Sequence, residues 1–124
     1  MKPWIATLVL LCAVTFIVIA QLLMKWQVSH AGPIPNGVLG IAIHFARLLT
    51  NPWIILAFLL ALLAALAWMA ALSQLELSYA SPFLALTYVG VVLLSSVCFG
   101  EALTAAKLAG ISMIVAGVLV LRAG

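Results

Sequence analysis

Apolar residues in this chain come in long unbroken blocks. Residues 4–26 carry no charge before Lys25, and residues 52–72 are apolar at every position. Residues 78–99 are uncharged, and residues 103–122 hold only Lys107 in the first turn and Arg122 at the end. A bilayer hydrocarbon core of about 30 Å takes about 20 residues of helix. Each block reaches that length, and none alternates polar with apolar residues as a half-buried strand does. The blocks therefore predict an all-α membrane protein of four transmembrane helices, a single four-helix domain over residues 1–124. The fourth span requires Lys107 to snorkel to the membrane surface.

The residues between the blocks agree with these limits. Pro3 and Pro52 stand where helices begin, with φ already suited to a first turn. Asn51 precedes Pro52 and is placed to cap the second span. Trp4, Trp26 and Trp53 fall at the expected interfaces, where an indole has one dry face and one wet edge. Residues 31–37 (Ala-Gly-Pro-Ile-Pro-Asn-Gly) read as a loop, and Phe99-Gly100-Glu101 closes the third span. Val38, Ile41, Phe45, Leu48 and Leu49 recur at helical spacing, with His44 and Arg47 on the other side. That spacing predicts a short interfacial amphipathic helix between the first and second spans, or a tilted extension of the second. His44 and Arg47 then either touch a headgroup or form the wet face. The start, Met-Lys followed by apolar residues, resembles a signal peptide. Its apolar stretch exceeds the usual 7–15 residues or so of such a segment, so it is read as a span.

Composition narrows the class. The chain has 124 residues, of which 69% are hydrophobic and 6% charged. Soluble domains are about 45–50% apolar and about 25% charged. Five cations and two anions give a net charge of +3. The cations are scattered and form no basic stripe, so nucleic acid is not a partner. Cys12, Cys98, His30 and His44 show no metal-ligand spacing, and both cysteines lie in apolar runs. No metal, no cofactor and no enzymatic activity is expected. Lys2 and Arg122 lie on one side of the membrane. Arg47, Lys107 and Lys25 lie on the other, which leaves almost no positive-inside bias.

Polar groups inside a membrane are costly, so each is a candidate for function. Gln21 and Lys25 lie one turn apart on one face of the first span. Lys25 is either a snorkelling terminal lysine or a cation that holds an anionic headgroup. Gln21 is deeper, and either joins it or bonds another helix. Tyr88, with Thr87, lines a polar path or sits in the core. Trp68, mid-span, is a cavity wall or core residue. Glu76 lies at the turn between the second and third spans, in water, headgroups or a binding site. Pro82 kinks the third span or marks its entry. Glu101 suits the N-terminal dipole of the fourth helix. No carboxylate lies deep in any span, which disfavours proton-coupled export of cations and favours an anionic or lipid-linked substrate. Small residues at four-residue spacing (Ala57, Ala61, Ala65; Ala106, Gly110), with Gly117 seven beyond Gly110, suit close helix pairing between subunits. A chain this small needs a second subunit to enclose a path.

These residues resemble the drug/metabolite transporter superfamily, in its four-helix small multidrug resistance-like branch. The resemblance covers nearly the whole chain. Residues 82–89 (Pro-Phe-Leu-Ala-Leu-Thr-Tyr-Val), residues 99–104 (Phe-Gly-Glu-Ala-Leu-Thr) and Gly110 with Gly117 look like the closing half of an EamA-type repeat. Gly110 and Gly117 are similar to the dimer seam of small multidrug resistance proteins. Residues 20–25 (Ala-Gln-Leu-Leu-Met-Lys) are similar to the first helix of the bacterial flippase subunits for aminoarabinose-phosphoundecaprenol. Multidrug exporters of this branch carry a first-helix Glu, and that register here holds Ile17. The resemblance implies a multi-pass transporter of the bacterial inner membrane. It would act by alternating access as a homodimer, or as a heterodimer with a similar small chain, among membrane lipids. It would flip a polyprenyl-phosphate-linked sugar or similar anionic lipid, with Lys25 at the phosphate and Gln21 at sugar or phosphate oxygens. The alternatives are an exporter of a small polar or cationic metabolite using Glu76, and a non-transporting accessory subunit of a membrane complex.

Overall fold

The computed structural model describes residues 2–124. Helix α1 is Pro3–His30, α2 is Val38–Leu49, α3 is Pro52–Leu72, α4 is Leu77–Ala80, α5 is Leu86–Phe99 and α6 is Ala105–Ala123. A 3₁₀ turn, Ser81–Ala85, joins α4 to α5. Among the described residues, four segments are long and apolar enough to span a bilayer: α1, α3, the run Leu77–Phe99, and α6. The short α2 lies between the first and second, as expected. The first helix runs one turn past its expected end, to His30, whose Nδ1 lies 2.7 Å from the Trp26 carbonyl.

The third span is not one continuous helix. Pro82 has no amide hydrogen to give, so the chain tightens into a 3₁₀ turn there before α5 begins. Gly100 ends α5 in the left-handed conformation at φ 67°. Thr104 caps α6: its Oγ1 accepts from the Lys107 amide at 3.2 Å. Lys107 bends back so that Nζ donates to the Ala102 carbonyl at 2.8 Å, which takes its charge to the surface. Asn51 caps α3 as expected. Its Oδ1 accepts from the Trp53 amide at 2.9 Å, and its Nδ2 donates to Gln27 Oε1 at 2.8 Å.

That last bond sets the antiparallel register of α1 on α3, the most extensive helix pair in the molecule. Carried along both helices, it places Ala20 beside Ala57, Ala13 beside Ala64 and Ala6 beside Ala71. All six alanines are buried. Alanine every seven residues on both partners lets the backbones approach closely, the usual device where lipid supplies no hydrophobic drive between helices. Ala57, expected in a contact between subunits, therefore serves packing within the chain. Gly90 of α5 makes a second close approach: a Cβ there would lie 3.1 Å from Val18 Cγ2.

Packing is unequal along the membrane normal. The core gathers Leu10, Ala71, Ala80 and Phe83, with Val9, Trp68 and Tyr79 against it. This is the end that carries Glu76. The buried residues of α1 are Ala6, Leu10, Ala13, Val14, Val18 and Ala20, and none lies beyond Ala20. At the Lys25 end Leu48 and Ile54 are buried beside the Gln27–Asn51 bond, while the α1 face that carries Gln21 and Lys25 is exposed.

Candidate functional site

The inner stripe of α1 leads directly to the two candidate polar residues. Leu10, Val14 and Val18 are buried, and Gln21 and Lys25 stand seven residues beyond Val14 and Val18 on the same side. At this level α5 reaches the other side of α1, at Leu22, Leu23 and Trp26, and both Gln21 and Lys25 are exposed. The face that is core at one end of the bundle is an open polar wall at the other.

Ile17, one turn before Gln21, ends a cleft between α1, α3 and the 3₁₀ turn that runs from there toward the Glu76 end. It lines a cavity of about 210 Å³ with Ala61, Ala64, Ala65, Trp68 and Leu84. The alanines keep this floor low, and Trp68 forms one wall while its other side packs on the core. Trp68 is thus both a cavity wall and a core neighbour. The cleft is almost wholly apolar, and Ile17 puts no carboxylate into it.

Lys25 stands at the membrane boundary. The adjacent Trp26 packs edge-on against Trp53 with ring centroids 5.5 Å apart, and against His30 at 6.0 Å. Such aromatic belts mark the headgroup level. Trp4 marks the other boundary. At 1.5 Å per residue, the 22 residues between Trp4 and Trp26 span about 33 Å, close to the thickness of the hydrocarbon core. Gln21 lies about 6 Å deeper than Lys25. On the far side of α1 at this level, Ile19, Leu22, Leu23, Trp26, Cys98 and Phe99 line an apolar cavity of about 290 Å³.

The remaining candidates lie elsewhere. Glu76 is exposed at the opposite membrane face, in a cavity of about 390 Å³ with Pro3, Trp4, Thr7, Gln74 and Tyr79. Since Trp4 shares that cavity, Glu76 and Lys25 are about 30 Å apart along α1. Tyr88 is 63% exposed near the start of α5. With Gly90 level with Val18, Tyr88 lies about 7 Å from Gln21 toward the Glu76 end. Thr87 is buried, and its hydroxyl donates to the Leu84 carbonyl at 2.6 Å, so it lines no open path. A Cβ on Gly110 or Gly117 would meet nothing within 4 Å, and Val118 is the buried residue of α6 among those described. The glycine stripe faces away from the bundle. No cluster of three metal-ligating side chains occurs among the described residues.

The residue spacing of the alanine seam, and the pairing of Gln27 with Asn51, are features that polarity alone does not single out. The seven-residue recurrence of Ala6, Ala13 and Ala20 is nevertheless written in the sequence.

No family model matches the chain, and no solved structure matches it. Curated relatives do. The chain is 36% identical over 107 residues to a protein of Pseudomonas aeruginosa named probable 4-amino-4-deoxy-L-arabinose-phosphoundecaprenol flippase subunit ArnE. That match covers 85% of this chain and 93% of the relative. A Pseudomonas paraeruginosa protein of the same name matches over the same lengths, again at 36%. A Pseudomonas syringae protein named as the probable subunit ArnF of that flippase is 35% identical over 120 residues, covering 94% of this chain and 83% of the relative. Flippase subunits are transporters, not enzymes. The chain belongs to this family of small flippase subunits, in the small multidrug resistance-like group, and is a multi-pass membrane transporter.

Proposed function

We propose that the chain is one subunit of a dimeric transporter that moves a polyprenyl-phosphate-linked sugar, or a similar anionic lipid, across the bacterial inner membrane. One observation carries this reading: Gln21 and Lys25 continue the buried stripe of α1 to the headgroup level, where both are exposed. Lys25 offers its ammonium to the phosphate, and Gln21 offers its amide one turn deeper to sugar or phosphate oxygens. The apolar cavities beside α1 take the prenyl chain. Glu76 lies at the far face, so Glu76 and Lys25 do not meet in one site.

A second subunit completes the path. Helix α6 is almost uncovered, and its glycine stripe at Gly110 and Gly117 suits a close helix crossing. The partner is a second copy or a similar small four-helix chain, as the paired subunit names of the relatives suggest. Substrate binds between subunits and crosses by their rocking.

The test is transport of a fluorescent polyprenyl-phosphate sugar in membrane vesicles from cells making the full chain. Lys25→Ala should abolish movement while the protein still inserts. Lys25→Arg should keep part of it, since phosphate accepts either cation. Full activity in Lys25→Ala would refute the role of Lys25.

A further inference from the structure

The polar side of α2 is not simply a wet face. At 100° per residue, His44 and Arg47 lie on one side of α2, and Val38, Ile41, Phe45 and Leu49 gather on another. Buried Leu48 seats α2 on the bundle, and beside it His44, Arg47, Asn51 and Ala31 line a cavity of about 190 Å³. His44 is half-buried. The apolar residues point away, with Val38 87% and Leu49 55% exposed, as a helix lying in the acyl boundary requires.

The depth of this cavity follows from its neighbours. Ala31 lies five residues beyond Trp26, about 7 Å further out along α1, and Asn51 lies two residues before Trp53. The Trp26–Trp53 pair marks the interface, so the cavity sits at the level of lipid phosphates. Its chemistry fits that level. A guanidinium offers paired donors, an imidazole offers a ring N–H, and no acidic side chain lines the cavity. Of the two Asn51 amide hydrogens, Gln27 takes one and the other is left to donate.

We infer that the cavity of His44, Arg47 and Asn51 is a binding site for the phosphate of a membrane lipid, held at the interface by α2. The lipid is either a bulk anionic phospholipid or a polyprenyl phosphate carried as cargo. The site is separate from Lys25, and it stands whether or not Lys25 touches cargo.

Native mass spectrometry of the detergent-purified full chain tests this. The probes are dioleoylphosphatidylglycerol, dioleoylglycerol with the same tails and no phosphate, and undecaprenyl phosphate. Wild type should retain phosphatidylglycerol about tenfold better than dioleoylglycerol, and Arg47→Gln should lose about tenfold of that retention. His44→Gln should lose several-fold. Arg122→Gln, which removes a guanidinium at the opposite face, should bind as wild type. Arg47→Lys should keep part of the binding, and equal far-ultraviolet helicity verifies folding of each variant. Stronger retention of undecaprenyl phosphate assigns the site to cargo, and equal retention assigns it to bulk lipid. Either supports a lipid-phosphate site. Unchanged retention in both Arg47→Gln and His44→Gln, equal retention of dioleoylglycerol by wild type, or displacement by millimolar inorganic phosphate would overturn it.

Discussion

Replacing Ala57 by leucine tests the alanine seam. Ala57 is fully buried, and the register sets it beside Ala20, which is 4% exposed. Leucine adds three heavy atoms where two backbones already meet across single methyl groups. Nothing offsets the intrusion: the unfolded helix in lipid is as well solvated for leucine as the folded one, so no hydrophobic gain appears. Helix propensity differs by only a few tenths of a kcal/mol. The overpacking term remains, about 1–3 kcal/mol. That is about a 5- to 150-fold fall in the folded-to-unfolded ratio. The assay is reversible unfolding in mixed micelles with rising dodecyl sulfate, followed by helicity and tryptophan emission. Leu62→Ala is the control, because Leu62 is 56% exposed on the same helix. Its change should stay within about 0.5 kcal/mol. Wild-type stability in Ala57→Leu, with a clear loss in Leu62→Ala, would mean that α1 and α3 do not meet along this seam.

Four further outcomes are expected. Asn51→Ala removes both the α3 cap and the bond to Gln27, and should lower stability in the same micelle assay by about 1–2 kcal/mol. Gly90→Leu should separate α1 from α5 and cost about 1–3 kcal/mol. Gly90→Ala should change little, because a helix-propensity gain of about 1 kcal/mol offsets the 3.1 Å contact with Val18. Glu76→Gln should leave transport of a polyprenyl-phosphate sugar intact, since Glu76 lies at the opposite face from Lys25. Loss of a proton-coupled uptake in that variant would favour a metabolite exporter instead.

The spans were legible because unbroken apolar runs have one solution in a bilayer, and Pro52, Asn51 and the tryptophans marked their ends. Helix α2 was legible from the spacing of Val38, Ile41 and Phe45 against His44 and Arg47. What the pattern did not carry was rotation. In a helix apolar all round, nothing in hydropathy distinguishes Ala64, at the seam, from Leu62, toward lipid. The break at Pro82 was readable as a kink but not as a 3₁₀ turn, since its form depends on how α5 seats against α1. The pairing of Gln21 with Lys25 followed from spacing alone. Their exposure on a face that is buried at Leu10, Val14 and Val18 depended on how α5 crosses α1, which one helix cannot report. The topology already put Glu76 and Lys25 on opposite faces, and the fold adds their separation of about 30 Å.

The most direct test of the account is photo-crosslinking with a diazirine placed next to the phosphate of undecaprenyl phosphate, in membranes containing the full chain. Adducts mapped by mass spectrometry should fall on α1 around Gln21 and Lys25, and should disappear in Lys25→Ala but persist in Lys25→Arg. Adducts that concentrate around Glu76, or that survive Lys25→Ala unchanged, would contradict a phosphate site at Lys25.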